Sequence, residues 1–303
     1  MSTGIKHRAG KIKKSREDRI FDFCIYTIAG LLTLIALYPI YFVVIASFSD
    51  PKAVSAGDVV LFVSGFSLKG YKHLLQYAEL WRGYLNTILY ALVGTLICLV
   101  VNIPAGYALS RKDLYGRKWF VIFYMIPMFF SGGLIPTYIN IQKLGLYDTF
   151  WVMVLPFSVI TYYIIVARTF FTTGLPEDLW EAAQIDGAST LRYFFSVVLP
   201  LSKAILAVIA LWSAVGQWNS YFNAMIYLRN SNLQPLQLVL RNILINNQTA
   251  SSMMTGTAAS EARELSDLIK YGAIVISSAP IMCMYPFVQK YFNQGVMVGS
   301  LKG

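Results

Sequence analysis

Six stretches of this chain, each of about 18 residues or more, contain no Asp, Glu, Lys, Arg or His. They fall at about residues 23–48, 83–109, 119–138, 150–167, 204–228 and 271–288. An uncharged apolar run of that length is read as a membrane span, and inside lipid an unpaired backbone is so costly that such a span is helical unless it closes into a barrel. The expected fold class is therefore all-α, a polytopic membrane protein with six transmembrane helices. Composition agrees, at 56% hydrophobic and 13% charged residues. Proline punctuates the spans: Pro39 in the first, Pro127 and Pro136 with Gly132-Gly133 in the third, Pro156 in the fourth, Pro280 and Pro286 in the sixth. Kinks or breaks are expected at these points. The first stretch is too long for a signal-peptide core and lacks a persuasive cleavage site.

The net charge is +10, and its distribution decides what it means. Seven of the 25 Lys and Arg lie in a basic segment, residues 1–19, ahead of a membrane domain at 20–303. Six spans put both termini on one side, and that side carries 16 Lys and Arg against nine opposite. The excess of cations places the termini, the loop 110–118 and the segment 177–203 in the cytoplasm. Such clustering serves topology and anionic lipid, so no nucleic-acid partner is expected. Cys24, Cys98 and Cys283 are isolated in apolar surroundings, and His7 and His73 lie outside the spans. Neither a disulfide framework nor a metal site follows from them.

Against this apolar background one stretch is polar and highly patterned: Glu177-Asp178-Leu179-Trp180-Glu181-Ala182-Ala183-Gln184-Ile185-Asp186-Gly187-Ala188-Ser189, running on to Val197-Val198-Leu199-Pro200. Pro176 suits a first helical turn, and Glu177 and Asp178 complement the positive end of the helix dipole. Ala182 and Ala183 make a face that another backbone can approach. Gly187 can adopt positive φ and end the helix. Ser189 or Thr190 can cap a second helix whose apolar positions, Leu191, Phe194, Phe195 and Val198, follow helical spacing. The expectation is a helix, a glycine bend and a second helix at about 177–195, lying between two spans.

Glu181-Ala182-Ala183, Gly187, Val197 and Leu199-Pro200 stand at the spacing of the Glu-Ala-Ala motif, and on them the chain resembles the permeases of ATP-binding-cassette importers. Val197 stands where Ile is usual. Further segments, Asn86-Thr87-Ile88, Gly106-Tyr107-Ala108-Leu109-Ser110-Arg111-Lys112 and Gly295 to Gly303, are similar to the smaller permease of the maltose-type, carbohydrate-importing class. Phe130-Ser131-Gly132-Gly133-Leu134-Ile135-Pro136 is similar to the branch that serves plant polysaccharide fragments and alginate. The resemblance covers about residue 20 to the end. It implies a subunit without its own catalytic site, in a bacterial cytoplasmic membrane. Its partners would be a second homologous permease, two ATPase subunits that carry the ATP and Mg, and an external solute-binding protein delivering an oligosaccharide. This chain itself would hold no cofactor. The resemblance also assigns ATPase coupling to Glu181, Ala182, Ala183, Asp186, Gly187, Leu199 and Pro200, and a contact with the ATPases to the tail from Gly295.

An ion-coupled secondary sugar transporter is the alternative, and the absence of any charged group inside the spans argues against it. An intramembrane enzyme would need a nucleophile with a base, or a metal cluster, and neither is visible. Span five carries Gln217-Trp218-Asn219 and Asn223, polar groups that should face the bundle interior, with Asn219 and Asn223 one turn apart on a single helix. They suit either hydrogen bonds to the partner permease or sugar contact. Trp218, Tyr162 and Tyr163 could stack on sugar rings. Between spans five and six, Leu236 to Leu244 predicts a short amphipathic helix, followed by Asn246, Asn247 and Gln248 at a loop tip and the small-residue run Ser251 to Ser260. The amide tip is expected to meet the binding protein; a flexible linker is the plainer reading.

Overall fold

The computed structural model describes residues 15–253 and 257–300, with the side chains of 257–261, 285 and 287–300 left aside. The described residues are mostly helical and contain no strand. The basic run Lys6 to Lys14, Met254-Thr255-Gly256 of the small-residue run and the end of the tail, Leu301-Lys302-Gly303, lie outside the described residues.

Two compact units make up the chain, Met1–Leu68 and Lys69–Gly303. The first holds α1 (Arg16–Ser47) and α2 (Pro51–Ala56). Ser15 and Asp18 form a reciprocal capping box at the start of α1, and Pro39 sits inside the continuous helix. Asp50 caps α2, and Gly57 closes it with φ +82°.

The second unit is built around α4 (Ala78–Ser110), preceded by α3 (Lys69–Leu75). At 33 residues α4 is about 50 Å long. Then follow α5 (Arg117–Phe129), α6 (Leu134–Lys143), α7 (Phe150–Val154), α8 (Thr161–Gly174), α9 (Asp178–Ile185) and α10 (Thr190–Tyr193). A π turn, Phe194–Val198, leads into α11 (Leu199–Leu201), α12 (Lys203–Trp218) and α13 (Tyr221–Tyr227). A 3-10 turn, Ser231–Leu233, precedes α14 (Leu236–Met253), and α15 (Thr257–Ser300) ends the described chain. Helices α8, α12 and α14 pack on α4. Gly106 lets α8 in: a Cβ there would lie 2.6 Å from the Ala167 Cβ.

Among the described residues, three helical stretches are long and apolar enough to cross a membrane alone: α1, α4 and residues 262–284 of α15. The other expected spans are interrupted. Helices α5 and α6 meet at 113°, where Phe130–Gly133 leaves the helix and Gly133 has φ +83°. The fourth span is α7 plus α8, broken around Pro156. The break is stitched by Asn102, fully buried on α4: its Nδ2 donates to the Ser158 carbonyl at 2.7 Å, and its Oδ1 accepts from the Ile160 amide at 3.0 Å. A broken helix at membrane depth survives where a partner takes up the freed backbone groups, and one side chain does much of this here.

Span five corrects the expected single helix. Helix α12 ends at Trp218, the chain turns at Asn219-Ser220, and α13 begins at Tyr221. Asn219 and Asn223 therefore do not share one helix. The segment before the last span is corrected too. In place of a short helix and a polar loop, α14 carries on through the expected tip to Met253.

Candidate functional site

The polar stretch 177–200 folds as a helix, a bend and a second helix. Glu177 stands at the N-cap of α9, so Pro176 precedes the helix instead of opening its first turn. At the other end Gly187 has φ +70°; its amide donates to the Gln184 carbonyl and the Ala188 amide to the Ala183 carbonyl. Ser189 then caps α10 by accepting from the Arg192 amide at 3.3 Å. Pro200 has no N–H and would crowd the carbonyl four residues earlier, and the π turn at Phe194–Val198 widens the helix just before it. At Ser202 the chain bends by 79° into α12.

The two alanines do not share a face, contrary to expectation. Trp180 and Ala183, three apart, pack inward on the cluster of Tyr107, Phe171, Tyr193 and Phe194, together with Val197 and Leu199. Ala182 points outward with Leu179 and Ile185, the latter 88% exposed, and Leu191 beyond the bend is 71% exposed. Glu181, Asp186 and Pro200 are exposed as well. The outer face is thus a short apolar ridge edged by carboxylates.

The inner face is fixed in part by residues that the sequence marked as a cationic loop and a family-like segment, without linking them to α9. Arg111, at the end of α4, grips Asp113 through Nε at 2.9 Å and Nη2 at 2.6 Å, and its guanidinium carbon lies 4.1 Å from the Trp180 ring centroid. That fork holds the Asp113 carboxyl below its ordinary carboxylate range. Trp180 meets Tyr193 edge to face at 5.0 Å. Lys112 pairs with Glu177 at 2.8 Å across the surface. A cavity of about 400 Å³ lies between the loop and α9, walled by Tyr107, Arg111, Glu177 and Glu181 among others. The end of α4 and helix α9 are held as one piece.

The expected pathway residues separate into packed and open ones. Trp218 is buried, donates from Nε1 to the Ser277 carbonyl at 2.9 Å and meets Tyr84 at 6.3 Å, so its ring is engaged within the protein. Gln217 is buried against Gly94, where a Cβ would lie 2.6 Å from the amide nitrogen. Asn219 is exposed and bonds back to the Val215 carbonyl, and Asn223 is half-buried. Tyr162, 51% exposed, and half-buried Tyr163 both lie 5.6 Å from Trp212, a ring the sequence did not single out.

At the far end of α4, its first half organises the segment leading to α14. Thr87 accepts from the Leu236 amide at 2.8 Å, Tyr90 donates to the Leu233 carbonyl at 2.7 Å, and Asn86 donates to the carbonyls of Asn232 and Gln234. Asp148, with φ +58°, accepts from the amides of Arg229 and Asn230 at 2.8 Å each. On α14, Asn246 and Gln248 are exposed, whereas Asn247 is half-buried and bonds back to the Ile243 carbonyl. No cluster of metal-ligating side chains occurs among the described residues.

Residues 103–298 match the family described as binding-protein-dependent transport system inner membrane component. The polygalacturonan/rhamnogalacturonan transport system permease protein of Bacillus subtilis is 35% identical, over 95% of this chain and 100% of that one. The maltodextrin transport system permease protein of the same organism is 28% identical, over 92% and 96%. Among solved structures, a bacterial ABC transporter involved in the import of the acidic polysaccharide alginate aligns with a TM-score of 0.82 and 33% identity, covering 92% of this chain and 99% of that one.

Proposed function

The chain belongs to the family of binding-protein-dependent transport system inner membrane components and is a permease subunit of an ABC importer, and from that premise we propose that it carries an oligosaccharide inward and takes its drive at α9. It is a multi-pass membrane protein and not itself the ATPase, and its family works with an ATPase, a binding protein and a second permease. Fragments of acidic polysaccharides are the first cargo to test, because permeases for polygalacturonan/rhamnogalacturonan and for alginate stand among its similar relatives. Both termini and the segment 177–195 face the cytoplasm in this reading, in keeping with the cation count.

One observation carries the assignment of the drive point. Helix α9 presents Leu179, Ala182 and Ile185 outward while Trp180 and Ala183 lock its other face to the end of α4. An exposed ridge on a rigid mount is what a lever needs. Glu181 and Asp186 offer carboxylates to a basic rim on an ATPase subunit, Gly187 sets the angle between α9 and α10, and Leu199-Pro200 sets the elbow into α12. Exposed Asn219 and Tyr162 are the residues offered to sugar, and Asn246 and Gln248 those offered to the binding protein at the opposite end of α4. Proteoliposomes holding the whole complex, with binding protein and defined oligogalacturonides outside and ATP inside, test the reading. ATP-dependent accumulation is expected. Uptake that needs an ion gradient and no ATP would return the secondary-transporter alternative, which the comparisons do not support.

A further inference from the structure

The first unit contains an apolar segment that the transport reading does not use. Residues 59–68, Val59-Val60-Leu61-Phe62-Val63-Ser64-Gly65-Phe66-Ser67-Leu68, carry no charge. The segment is not helical; it folds back along the outer part of α1. The Tyr38 hydroxyl donates to the Val60 carbonyl at 3.3 Å, and the Tyr41 hydroxyl donates to the Leu61 carbonyl. Its far end is pinned beside the end of α1: the Asp50 amide donates to the Ser64 carbonyl at 2.9 Å, the Ser67 amide to the Phe48 carbonyl at 2.8 Å, and Phe66 stacks on Phe48 at 6.1 Å. Gly65 makes the return possible, since at φ +64° its Cβ would lie 2.9 Å from that of Asp50.

The position of Tyr38 and Tyr41 on α1 gives the level of this segment. The uncharged part of α1 begins at Phe23. About 20 residues at 1.5 Å each cross a hydrocarbon core of about 30 Å, which brings the outer boundary near Phe42. Tyr38 and Tyr41 then sit just inside that boundary, the level at which aromatic residues with a polar end collect. Whatever bonds to their hydroxyls sits there too. At that level Val60, Leu61, Phe62 and Val63 are exposed, Phe62 by 78%. Facing water they would form a costly apolar patch. They also continue the bare surface of α1 itself: Leu61 shares one apolar groove with Leu34, Leu37 and Ile40. The tyrosine hydroxyls take up carbonyls that lipid would leave unpaired.

We propose that residues 59–68 form an apolar hook whose tip, Val60 to Val63, inserts into the lipid leaflet beside Tyr38 and Tyr41 of α1, with Phe62 as its anchor. The proposal rests on reading α1 as a membrane span. A lipid surface is its occupant because the hook lies at the depth of the leaflet and is continuous with the apolar face of that span.

The test uses the complete transporter in phosphatidylethanolamine/phosphatidylglycerol vesicles, with Cys24, Cys98 and Cys283 replaced by Ala and a nitroxide label at Phe62→Cys. Collision with oxygen, which concentrates in lipid, is compared with collision with a water-soluble nickel chelate. Lys52→Cys on α2 is the aqueous control, and labels over one turn of α1 from Leu31 to Ile35 report on the span. At Phe62 oxygen collision is expected to exceed nickel collision severalfold, with the ratio reversed at Lys52. Nickel access at Phe62 equal to that at Lys52 would overturn the hook, as would shielding from both probes, which means cover by a partner protein. Nickel access all round α1 would instead overturn the span.

Discussion

The Arg111 guanidinium lies over the face of Trp180, 4.1 Å from the ring centroid, and so joins the end of α4 to the middle of α9. The same guanidinium is held flat by two bonds to Asp113. A cation over an indole is worth about 0.5–1 kcal/mol at exposed sites, and a bidentate pair adds geometry that lysine cannot copy. In the proposed reading, movement of α9 would be passed through this clamp to a helix about 50 Å long whose other end lies at the α14 side.

Arg111→Lys and Trp180→Leu should therefore uncouple transport from ATP hydrolysis while the complex still assembles. A loss of about 1 kcal/mol corresponds to roughly a fivefold fall in the correctly held population. The readout is sugar taken up per ATP hydrolysed, and an unchanged ratio in both variants would leave the clamp without a role in transmission. The pH dependence has a definite sign. Asp113 has a lowered pKa, so its contribution is complete above the ordinary carboxylate value of about 3.9 and fades only as pH falls through the lowered one. Across neutral pH this pair should leave the coupling ratio flat.

Gly187 is constrained by its backbone and not by its neighbours. A Cβ there would meet nothing within 4 Å, yet φ is +70°. Gly187→Leu is expected to cost about 1–2 kcal/mol through the left-handed conformation alone. Gly187→Asn should cost less, because Asn tolerates that region. Substrate-stimulated ATPase activity should rank Gly, Asn, Leu. Equal loss for Asn and Leu would shift the cause from the bend to the exposed surface.

Much of this architecture can be read from residues alone, and the exceptions have physical reasons. Uncharged runs reveal spans because lipid penalises charge along every residue of a helix. Gly187 and Ser189 mark the bend because φ and capping are local. The break between α7 and α8 is another matter: Pro156 hints at it, but its repair comes from Asn102, over fifty positions away. Trp218 suggested a sugar platform because sequence does not separate a packed indole from an open one; only the bond to Ser277 does. Arg111 was visible as part of a cationic loop and of a family-like segment, but nothing local pairs it with Trp180, some seventy positions away. The expected tip at Asn246 to Gln248 is helical because Leu236, Val239, Leu240 and Ile243 continue a buried stripe that carries the polar turns with it.

Asn102 should be among the least replaceable polar residues of the membrane domain. Its amide serves Ser158, Ile160 and Cys98 from a fully buried position. Asn102→Leu would orphan the Ser158 carbonyl and the Ile160 amide, at about 1–3 kcal/mol for each. A marked fall in the thermal unfolding midpoint of the purified complex, or loss of its accumulation, is the expected result. A midpoint within error of wild type would show that the break is held by other means.

Exposure on α14 separates the three amides once expected at a loop tip. Asn246 and Gln248 are open, while Asn247 is half-buried and spends its Nδ2 hydrogen on the Ile243 carbonyl one turn back. If this helix meets the binding protein, the open amides are the ones able to compete for hydrogen bonds at a sugar cleft. Asn246→Ala with Gln248→Ala should then weaken the stimulation of ATPase activity by loaded binding protein severalfold, without altering assembly. Asn247→Ala should change it little, since its bond is internal to the helix. Deleting residues 246–258 would be a poorer probe, because it removes the end of α14 and the start of α15 together. Titration of loaded binding protein against the reconstituted complex distinguishes the cases: full stimulation at the same midpoint in the double variant would exclude α14 as the docking surface.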